Sequence, residues 1–443
     1  MNFYCVELPY KADSAHFYAV LADLPWAIWL DSGGLSRYDI LTAVPQRTLV
    51  QDASSRQSDP YAWIRRELGE KTEPVEGIPF AGGALGYWGY DSAKRVFGLK
   101  NNAFCPNELP DLEIGIYDWA LVLDHKQHTA HVVSHQRFSE TASLLQLILG
   151  RLQSNPQLPA DDFRVLGDVS SSFSLSGYAQ AFAQVQNYLQ AGDCYQINLA
   201  QCFSAAATGD ALGAYIELRS LCPAPYSAYL SFPQAKILCS SPERFLNVQK
   251  GIVSTMPIKG TRPRSNDPLQ DKKYAEELRI HPKDRAENLM IVDLMRSDLS
   301  KSCLPGSVRT PRLFEVESYA NVHHLVSTVE GRLADGHDAL DVLQNCLPGG
   351  SVTGAPKKRA MQIINQLEPF PRGIYCGAIG YVGFDGNMDT NIAIRTMAYA
   401  NNEIRFWAGS GIVADSEMAA EYQETLDKAL PMFKLIRKYG KAT

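Results

Sequence analysis

The feature that most constrains the fold is a series of short, strand-like segments separated by tight turns. Residues 114–125 and 129–135 read IGIYDWALVLDH and TAHVVSH, and apolar or β-branched runs bounded by turn residues are typical of antiparallel strands. Residues 241–261 read SPERFLNVQKGIVSTMPIKGT, which predicts a strand, a turn at 249–251 and a second strand. Amphipathic helices are predicted as well, at 139–153, 283–300 and 415–438. The pattern therefore favours antiparallel sheet combined with helices.

The length allows either one very large domain or two of ordinary size. The chain has 443 residues, of which 45% are hydrophobic, enough to bury a substantial core. Residues 153–176 are rich in Ser, Pro and Asp without sustained periodicity, which is typical of a connection. We place a boundary near residue 170, between an N-terminal region of residues 1–170 and a second region of residues 171–443.

Charge and cysteine usage exclude several classes of protein. The formal net charge of −6 leaves no overall basic surface, so nucleic acid is not an expected partner. The nine cysteines are scattered without a CxxC pair, which disfavours a structural zinc site or a disulfide framework and fits a cytoplasmic protein. No apolar run approaches about 18 residues, so we expect no membrane span. Four histidines fall in the predicted hairpin near residue 128, where their spacing scatters them over different faces: His125, His128, His131 and His135.

Lys259 is the most suggestive single residue. Folding the 241–261 hairpin brings Glu243 opposite residues 258–260, although a slip of one residue in strand register would reverse the faces. An amine nucleophile must be uncharged, and lowering its pKa from about 10.4 to about 8 costs roughly 3 kcal/mol. We expect burial to contribute most of this shift, helped by Arg262 or Arg264, with Glu243 acting as a general acid. On this segment alone, an ordinary ion-paired surface lysine remains the more common interpretation.

Carboxylates and glycine-rich loops indicate an anionic ligand and a divalent cation. Glu287 borders the apolar face of the 283–300 helix, whereas Glu421, Glu424 and Lys428 form one stripe of the 415–438 helix, which by itself is typical of a solvated face. Helices are entered through PGGSVTGAPKK and AGSGIVADS, and glycine-rich helix N-termini favour carboxylates or phosphates. Mg²⁺ can bridge carboxylates of the protein and oxygens of a substrate.

Seven segments, taken in order, closely resemble the chorismate-utilising enzymes, the family that includes anthranilate synthase component I. They are SPERF, PIKGTRPR, DRAENLMIVDLMRSDL, VHHLVS, GGSVTGAPK, GNMDTNIAIRT and AGSGIVADSEMAAEYQE. The resemblance extends to GGALGYWGYD and IYDWALVLDH in the N-terminal region. It implies an α+β fold, in which two large antiparallel β-sheets pack together with helices outside and the N-terminal region contributes strands.

The resemblance also implies an activity. Lysine at position 259 is typical of members that aminate chorismate to 4-amino-4-deoxychorismate, the precursor of 4-aminobenzoate for folate, whereas members that make anthranilate carry alanine there. It implies Mg²⁺ as cofactor and ammonia delivered by a separate glutamine amidotransferase subunit in a heterodimer. In the implied mechanism Lys259 attacks ring C2 while Glu243 protonates the departing 4-hydroxyl, and ammonia then enters at C4 and displaces the lysine.

Further site residues follow from the matched motifs. Glu287 and Glu424 match the Mg²⁺ ligands, with Glu421 adjacent. Positions that contact chorismate are matched by Gly260, Thr261, His324, Tyr375, Arg395, Gly409, Ser410 and Gly411. The segment LDSGGLSRYD resembles the one with which relatives bind tryptophan, and the implied pocket contains Ser32, Leu35, Ser36, Arg37, Tyr38, Pro225, Tyr226 and Ser227. Ser410 departs from the alanine or glycine usual at its position.

Two alternatives remain open at this point. Within the family, the chain could make anthranilate or isochorismate, against which Lys259 and its PIKGT context argue. From a different class, it could be a tryptophan-binding regulatory subunit with an inactive site. The product formed from chorismate, Mg²⁺ and ammonia separates these interpretations.

Overall fold

The computed structural model describes residues 3–52, 59–99, 109–154, 158–319 and 322–440. The strands before residue 172 are β1 (Tyr4–Leu8), β2 (Ala27–Asp31), β3 (Tyr38–Thr42), β4 (Arg47–Gln51), β5 (Gly83–Trp88), β6 (Leu112–Tyr117), β7 (Ala120–Asp124), β8 (Thr129–Ser134) and β9 (Arg164–Ser171). The later strands are β10 (Gln196–Thr208), β11 (Tyr226–Ser231), β12 (Lys236–Ser241), β13 (Arg244–Gln249), β14 (Ile252–Thr255), β15 (Ile258–Pro263), β16 (Arg309–Ser318), β17 (Val322–Arg332), β18 (Gly354–Ala355), β19 (Ala378–Gly383), β20 (Met388–Ile392), β21 (Thr396–Ala400) and β22 (Glu403–Ile412).

Helices connect and cover these strands. They are α1 (Ala15–Tyr18), α2 (Pro60–Leu68), α3 (Tyr90–Val96), α4 (Thr141–Gln153), α5 (Leu175–Gln190), α6 (Ala211–Leu221), α7 (Pro268–Ile280), α8 (Pro282–Leu299), α9 (Ala339–Cys346), α10 (Lys357–Leu367) and α11 (Met418–Tyr439), with a short 3-10 turn at Gly350–Val352. The three helices expected from periodicity correspond to α4, α8 and α11. Within the described ranges, no helix combines the length and the apolar character that a bilayer crossing requires.

The strands form two antiparallel sheets. The first has twelve strands in the order β1-β8-β7-β3-β2-β11-β12-β21-β22-β10-β18, with β9 also paired to β10. The second has ten strands in the order β15-β17-β14-β13-β20-β19-β5-β6-β4, with β16 also paired to β17. The predicted α+β architecture of two large antiparallel sheets with flanking helices is confirmed. Both sheets contain strands from each side of residue 170, and β9 itself spans that position.

The main hydrophobic core lies between the two sheets. Ile28 and Leu230 of the first sheet share this core with Leu85 and Ile379 of the second sheet. Alternate residues of one strand point to opposite faces, so Trp29 instead joins a second core, which lies between the other face of the twelve-stranded sheet and its covering helices. Burial on both faces explains why the central strands read as nearly continuous apolar runs rather than alternating patterns.

Two helices that pack against the sheets, α8 and α11, contain candidate site residues. Helix α8 starts with Pro282 at its first position, which suits a helix N-terminus, and it packs on β15 and β17. Helix α11 packs along β22. Both helices therefore lie beside strands that end at the same cleft.

Candidate active site

A cleft of about 730 Å³ opens where β15, β22 and the 3-10 turn approach α8 and α11. It gathers most of the residues that the sequence motifs indicated, although they are spread over some 180 positions of the chain. Those that line it are Glu243, Lys259, Gly260, Thr261, Glu287, His324, Tyr375, Arg395, Gly409, Gly411, Glu421 and Glu424. Ser410 is buried beside the cleft instead of lining it.

Lys259 reaches the cleft from a bulged strand. It lies opposite Leu325 of β17, whereas Thr261 lies opposite His324, so the register shifts by one residue at Gly260. Gly260 has φ +75°, and a Cβ there would lie 2.8 Å from Leu278 Cδ1. A larger residue would be strained by this backbone conformation and would have to displace neighbouring side chains, so glycine is favoured here. The bulge is therefore a specific feature that sets how Lys259 and Thr261 are presented.

Ser351 connects Glu243 and Lys259. Its hydroxyl donates a hydrogen bond to Glu243 Oε1 at 3.0 Å, and its backbone carbonyl lies 3.5 Å from Lys259 Nζ. Burial raises the pKa of Glu243 to about 6, although the Lys259 charge opposes this shift. A carboxyl group with this pKa carries a proton in a useful fraction of molecules near neutral pH, as a general acid requires.

The environment of Lys259 lowers the pKa of its amine below the usual range. Burial is the main cause, and the Lys428 ammonium adds to it, while Glu287 and Glu243 oppose it. The expected contribution from the two following arginines is wrong. Both are engaged elsewhere, Arg262 with Glu277 and Asp284 and Arg264 with Asp271.

Two glutamates of the cleft, Glu287 and Glu424, are close enough for the charge of one to affect the other. Burial raises the pKa of Glu287, and the nearby Glu424 charge contributes to the increase. Glu424 is paired with Lys428 at 2.6 Å. Burial tends to raise the pKa of Glu424, but the Lys428 ammonium, a hydrogen bond from Ser410 and the Lys259 charge together lower it below its usual value. In the described residues, no group of three or more His, Cys, Asp or Glu side chains surrounds one metal position. Two carboxylates nevertheless fit Mg²⁺, which commonly takes its remaining ligands from substrate and water.

Glu421 has different partners from the other two glutamates. Its carboxylate accepts hydrogen bonds from the hydroxyls of Ser410 and Ser416, the latter at 2.6 Å, and only 6% of the residue is exposed. This contact ties the start of α11 to β22. The Ser410 hydroxyl therefore contacts Glu421, which lines the cleft, and its hydrogen bonding also helps to lower the pKa of Glu424.

The part of the cleft lined by Arg395 and His324 is suited to a carboxylate of the ligand. Arg395 directly precedes β21, and burial together with the Arg395 charge lowers the pKa of His324 to about 4, so this imidazole is neutral. Thr261 Oγ1 and His324 Nδ1 are 3.0 Å apart. The Tyr375 ring stacks on Trp407 with centroids 6.2 Å apart. A guanidinium next to neutral aromatic surface binds a planar carboxylate well.

Several cleft residues were not identified from sequence. Ser351 lies in the segment GGSVTGAPK, and the sequence analysis assigned Lys428 to a helix stripe typical of a solvated face. Nothing in the sequence shows that either residue approaches Lys259, which lies more than 90 positions away in the chain. Asn198 and Trp407 gave no signal at all, because an isolated amide or indole in a strand is usually a packing residue. Their presence here follows from strand pairing: β10 and β21 flank β22 on its two sides.

A second cavity, of about 640 Å³, lies between the two sheets. Of the residues expected to bind tryptophan, Ser36, Tyr38, Pro225, Tyr226 and Ser227 line it. The other three lie outside its lining: Ser32 is buried in a turn, Leu35 is exposed, and Arg37 forms an ion pair with Asp124 at 2.7 Å. Arg244 lines this cavity, whereas the preceding residue Glu243 lines the first cleft.

Comparison with known proteins agrees with the motifs and the geometry. A sequence profile of the family described as chorismate binding enzyme matches residues 26–434. The chain belongs to this family. It is 44% identical over 452 residues to aminodeoxychorismate synthase component 1 of Escherichia coli strain K12, with 98% of each chain covered. It is 36% identical to anthranilate synthase component 1 of Streptomyces coelicolor, with 92% of this chain and 82% of that relative covered.

The solved structures support the same assignment. Anthranilate synthase component I from Streptococcus pneumoniae TIGR4 matches with a TM-score of 0.79 and 33% identity, covering 89% of this chain and 91% of that one. The family resemblance expected from the motifs is thus confirmed over nearly the full length. The Streptococcus pneumoniae protein therefore has the same overall fold as the scaffold that brings Lys259 and Glu243 together in this chain.

Proposed function

We propose that this family member aminates chorismate at C4 to give 4-amino-4-deoxychorismate, through a covalent intermediate on Lys259. The observation that carries the proposal is the contact of Ser351 with both Lys259 and Glu243 at the cleft. The name of the Escherichia coli relative, aminodeoxychorismate synthase component 1, supports the same reaction. A lysine with a lowered pKa beside a carboxyl with a raised one is the pairing that nucleophilic attack with general-acid assistance requires.

The first step joins Lys259 to the substrate. The neutral amine attacks ring C2, the two ring double bonds shift, and the C4–O bond breaks as Glu243 gives its proton to the departing hydroxyl, releasing water. In the second step, ammonia attacks C4, the double bonds return and the C2–N bond to Lys259 breaks. The new ammonium group returns a proton to Glu243, so both side chains end in their starting states.

The charged ends of the substrate are held at the two ends of the cleft. We propose that Glu287 and Glu424 hold a Mg²⁺ ion, with Glu421 fixing the neighbouring backbone. When bound, this ion neutralises a substrate carboxylate and orients the ring. Arg395 and Tyr375 hold the second carboxylate. Gly260, Thr261 and His324 border the ring, while backbone groups of Gly409, Ser410 and Gly411 line the floor.

The ammonia requires a source. We propose a separate glutamine amidotransferase subunit as partner, in keeping with the designation "component 1" of the relatives. Free ammonia then serves without the partner, and glutamine serves only with it. The described cysteines are free thiols, which fits a reducing compartment such as the cytoplasm.

The identity of the product tests this function. Purified protein incubated with chorismate, Mg²⁺ and ¹⁵N-ammonia is expected to form ¹⁵N-labelled 4-amino-4-deoxychorismate, identified by mass spectrometry. No pyruvate is expected, because the enolpyruvyl group is retained. Release of pyruvate with labelled anthranilate, or an unlabelled isomer of chorismate, would contradict the proposal.

We further propose that the second cavity binds tryptophan. Support comes from its volume, its aromatic wall at Tyr38 and Tyr226, and the Arg244–Asp389 ion pair at 2.8 Å, which offers opposite charges to an amino acid. In this proposal residues 1–170 supply part of the tryptophan pocket, and residues 171–443 supply the catalytic residues named above.

Tryptophan binding is measurable by titration calorimetry. We expect L-tryptophan to bind one site per chain, and Ser36→Trp to prevent binding because its indole fills the cavity. Ser139→Trp, on the exposed surface before α4, is the matched control and should bind normally. Unchanged tryptophan affinity in Ser36→Trp would place the ligand elsewhere.

A further inference from the structure

Asn198 is held firmly at the inner wall of the catalytic cleft. It pairs with Gly411 in the β10–β22 ladder, its backbone N–H donates to Thr353 O at 2.7 Å, and its carbonyl accepts from Arg372 at 2.7 Å. Only 5% of the residue is exposed, yet it lines the cleft. Its backbone is thus fixed on both sides, which leaves the side-chain amide as the group that can serve a ligand.

The amide nitrogen of Asn198 is buried without a hydrogen-bond partner among the described residues. It lies 2.8 Å from the position that a Cβ of Gly409 would occupy, so it rests directly on the glycine floor of the cleft. Gln201, on the same strand, shows the usual state of a buried amide, since it bonds to Thr425 at 2.7 Å and Ser171 at 3.0 Å. A buried donor left unpaired is costly, so a function for the Asn198 amide is expected.

The surroundings identify what this donor would bind. The indole N–H of Trp407 is also buried and unpartnered, and Trp407 stacks on Tyr375. Arg372, which holds the Asn198 carbonyl, lies 5.6 Å from the Tyr375 ring centre. Arg395 lines the same cleft and directly precedes β21, which pairs with β22 on the side away from β10. Asn198 and Arg395 therefore approach the glycine floor from opposite sides.

We propose that the Asn198 side-chain amide is a further substrate-binding group, which donates a hydrogen bond to the enolpyruvyl carboxylate of chorismate. The carboxylate lies between the Arg395 guanidinium and the Asn198 amide, with the Trp407 indole N–H as an additional donor. The ring carboxylate is held at the other end, by Glu287 and Glu424 through Mg²⁺. The inference rests on the proposed function in one respect, that the cleft binds chorismate.

The rival explanation is a buried water molecule. Both polar atoms of the neighbouring Gln196 amide are also unpartnered, so a water could join the Gln196 and Asn198 amides without any contact to substrate. In that case the Asn198 amide would affect stability, and its loss would leave affinity for chorismate unchanged.

The test combines two substitutions with two ligands. Asn198→Ala removes the donor, and Asn198→Asp replaces it with a nearly isosteric carboxylate. Chorismate affinity is measured by calorimetry in Mg²⁺ without ammonia. Benzoate, which carries only the ring carboxylate, is measured as a competitive inhibitor. We expect Asn198→Ala to weaken chorismate binding about 10- to 100-fold, with a larger loss in Asn198→Asp and little change for benzoate.

Asn345→Ala is the matched control. Asn345 lies on α9, away from the cleft, and its side-chain amide donates a hydrogen bond to the Ser302 hydroxyl at 2.8 Å. It should bind both ligands as the wild type does. Cooperative thermal unfolding confirms that each variant is folded, and Asn198→Ala decides the result if Asn198→Asp fails to fold. Unchanged chorismate affinity, or an equal loss for both ligands, would overturn the inference alone. Wild-type protein that binds no chorismate would overturn the proposed function as well.

Discussion

Lys259→Ala is expected to reduce formation of 4-amino-4-deoxychorismate by about 10³-fold or more, the scale expected when a covalent nucleophile is removed. Alanine cannot form the bond to C2 on which release of the 4-hydroxyl depends. The same substitution opens space beside C2, where ammonia can attack directly. We therefore expect a small amount of anthranilate to appear, measured by its fluorescence together with the released pyruvate.

Two further variants separate nucleophilic from electrostatic roles of this lysine. Lys259→Arg keeps the positive charge but stays protonated at accessible pH, so it should be as inactive as Lys259→Ala. Lys250→Asn, in the turn of the same hairpin, is the control, since asparagine tolerates the positive φ of 51° found there. It should retain wild-type activity. Full activity in Lys259→Ala, or no captured adduct when the turnover mixture is quenched, would contradict a covalent role.

The pH dependence of the reaction rate follows from the protonation of Glu243 and Lys259. The active state carries one proton shared between Glu243 and Lys259. It is lost below pH 6, where Glu243 with its pKa of about 6 becomes protonated while Lys259 stays charged. It is lost again at high pH, when Lys259 and Glu243 are both deprotonated, with a midpoint below the usual lysine value because burial lowers this pKa. We expect a bell-shaped rate profile. In Glu243→Gln, which has no carboxyl proton to lose, we expect the alkaline limb to disappear, so that the much lower remaining rate rises with pH as Lys259 becomes neutral.

Glu287→Gln and Glu424→Gln are expected to raise the Mg²⁺ concentration for half-maximal activity by about 100-fold or more. Each change removes one of the two carboxylates proposed to hold the ion, and loss of even an indirect contact in a metal site costs about 10- to 100-fold in affinity. Binding of Mn²⁺ in the presence of chorismate, measured by electron paramagnetic resonance, gives a readout that does not depend on turnover.

Glu421→Gln provides an internal comparison on the same helix. Because its oxygens are occupied by the Ser410 and Ser416 hydroxyls, we expect a smaller effect on metal affinity than at Glu424. Glu276→Gln, paired with Arg279 on the surface of α7, should behave as the wild type. A normal metal response in Glu287→Gln would reject the assignment of that residue.

The sequence alone predicts individual helices and strands well. It predicts which residues distant in the chain lie together in the site only through the family resemblance. The hairpin of β13 and β14 continues, by its register of Asn247 opposite Ser254, to place Glu243 opposite Ile258. Periodicity alone could not decide this, because a shift of one residue places the side chains on the other face. The bulge at Gly260, which sets the presentation of Lys259, depends on contacts to Leu278 and Asp284 that no local pattern contains.

Residues of the cleft that act through tertiary contact escaped prediction for the same reason. The sequence offered Arg262 and Arg264 as the cations nearest in the chain to Lys259, but both are paired with acidic residues that follow them. Lys428, which lies 169 positions later, supplies the effect instead. The effect of a charge decreases with distance in space, not with separation in sequence. Nearness along the chain was therefore a poor guide to which cation lowers the pKa of Lys259.

The interleaving of the two sheets limits how this chain can reach its native state. Strand β2 pairs with β11, and β5 pairs with β19. When only the first 170 residues have been synthesised, both sheets therefore have unpaired strand edges. Such edges invite association between nascent chains, and pairings this distant in the chain form slowly. Helix α11, which carries Glu424, is the last described helix to leave the ribosome. The cleft is therefore completed only after α11 has been synthesised, and a chain that stops before α11 lacks Glu421 and Glu424.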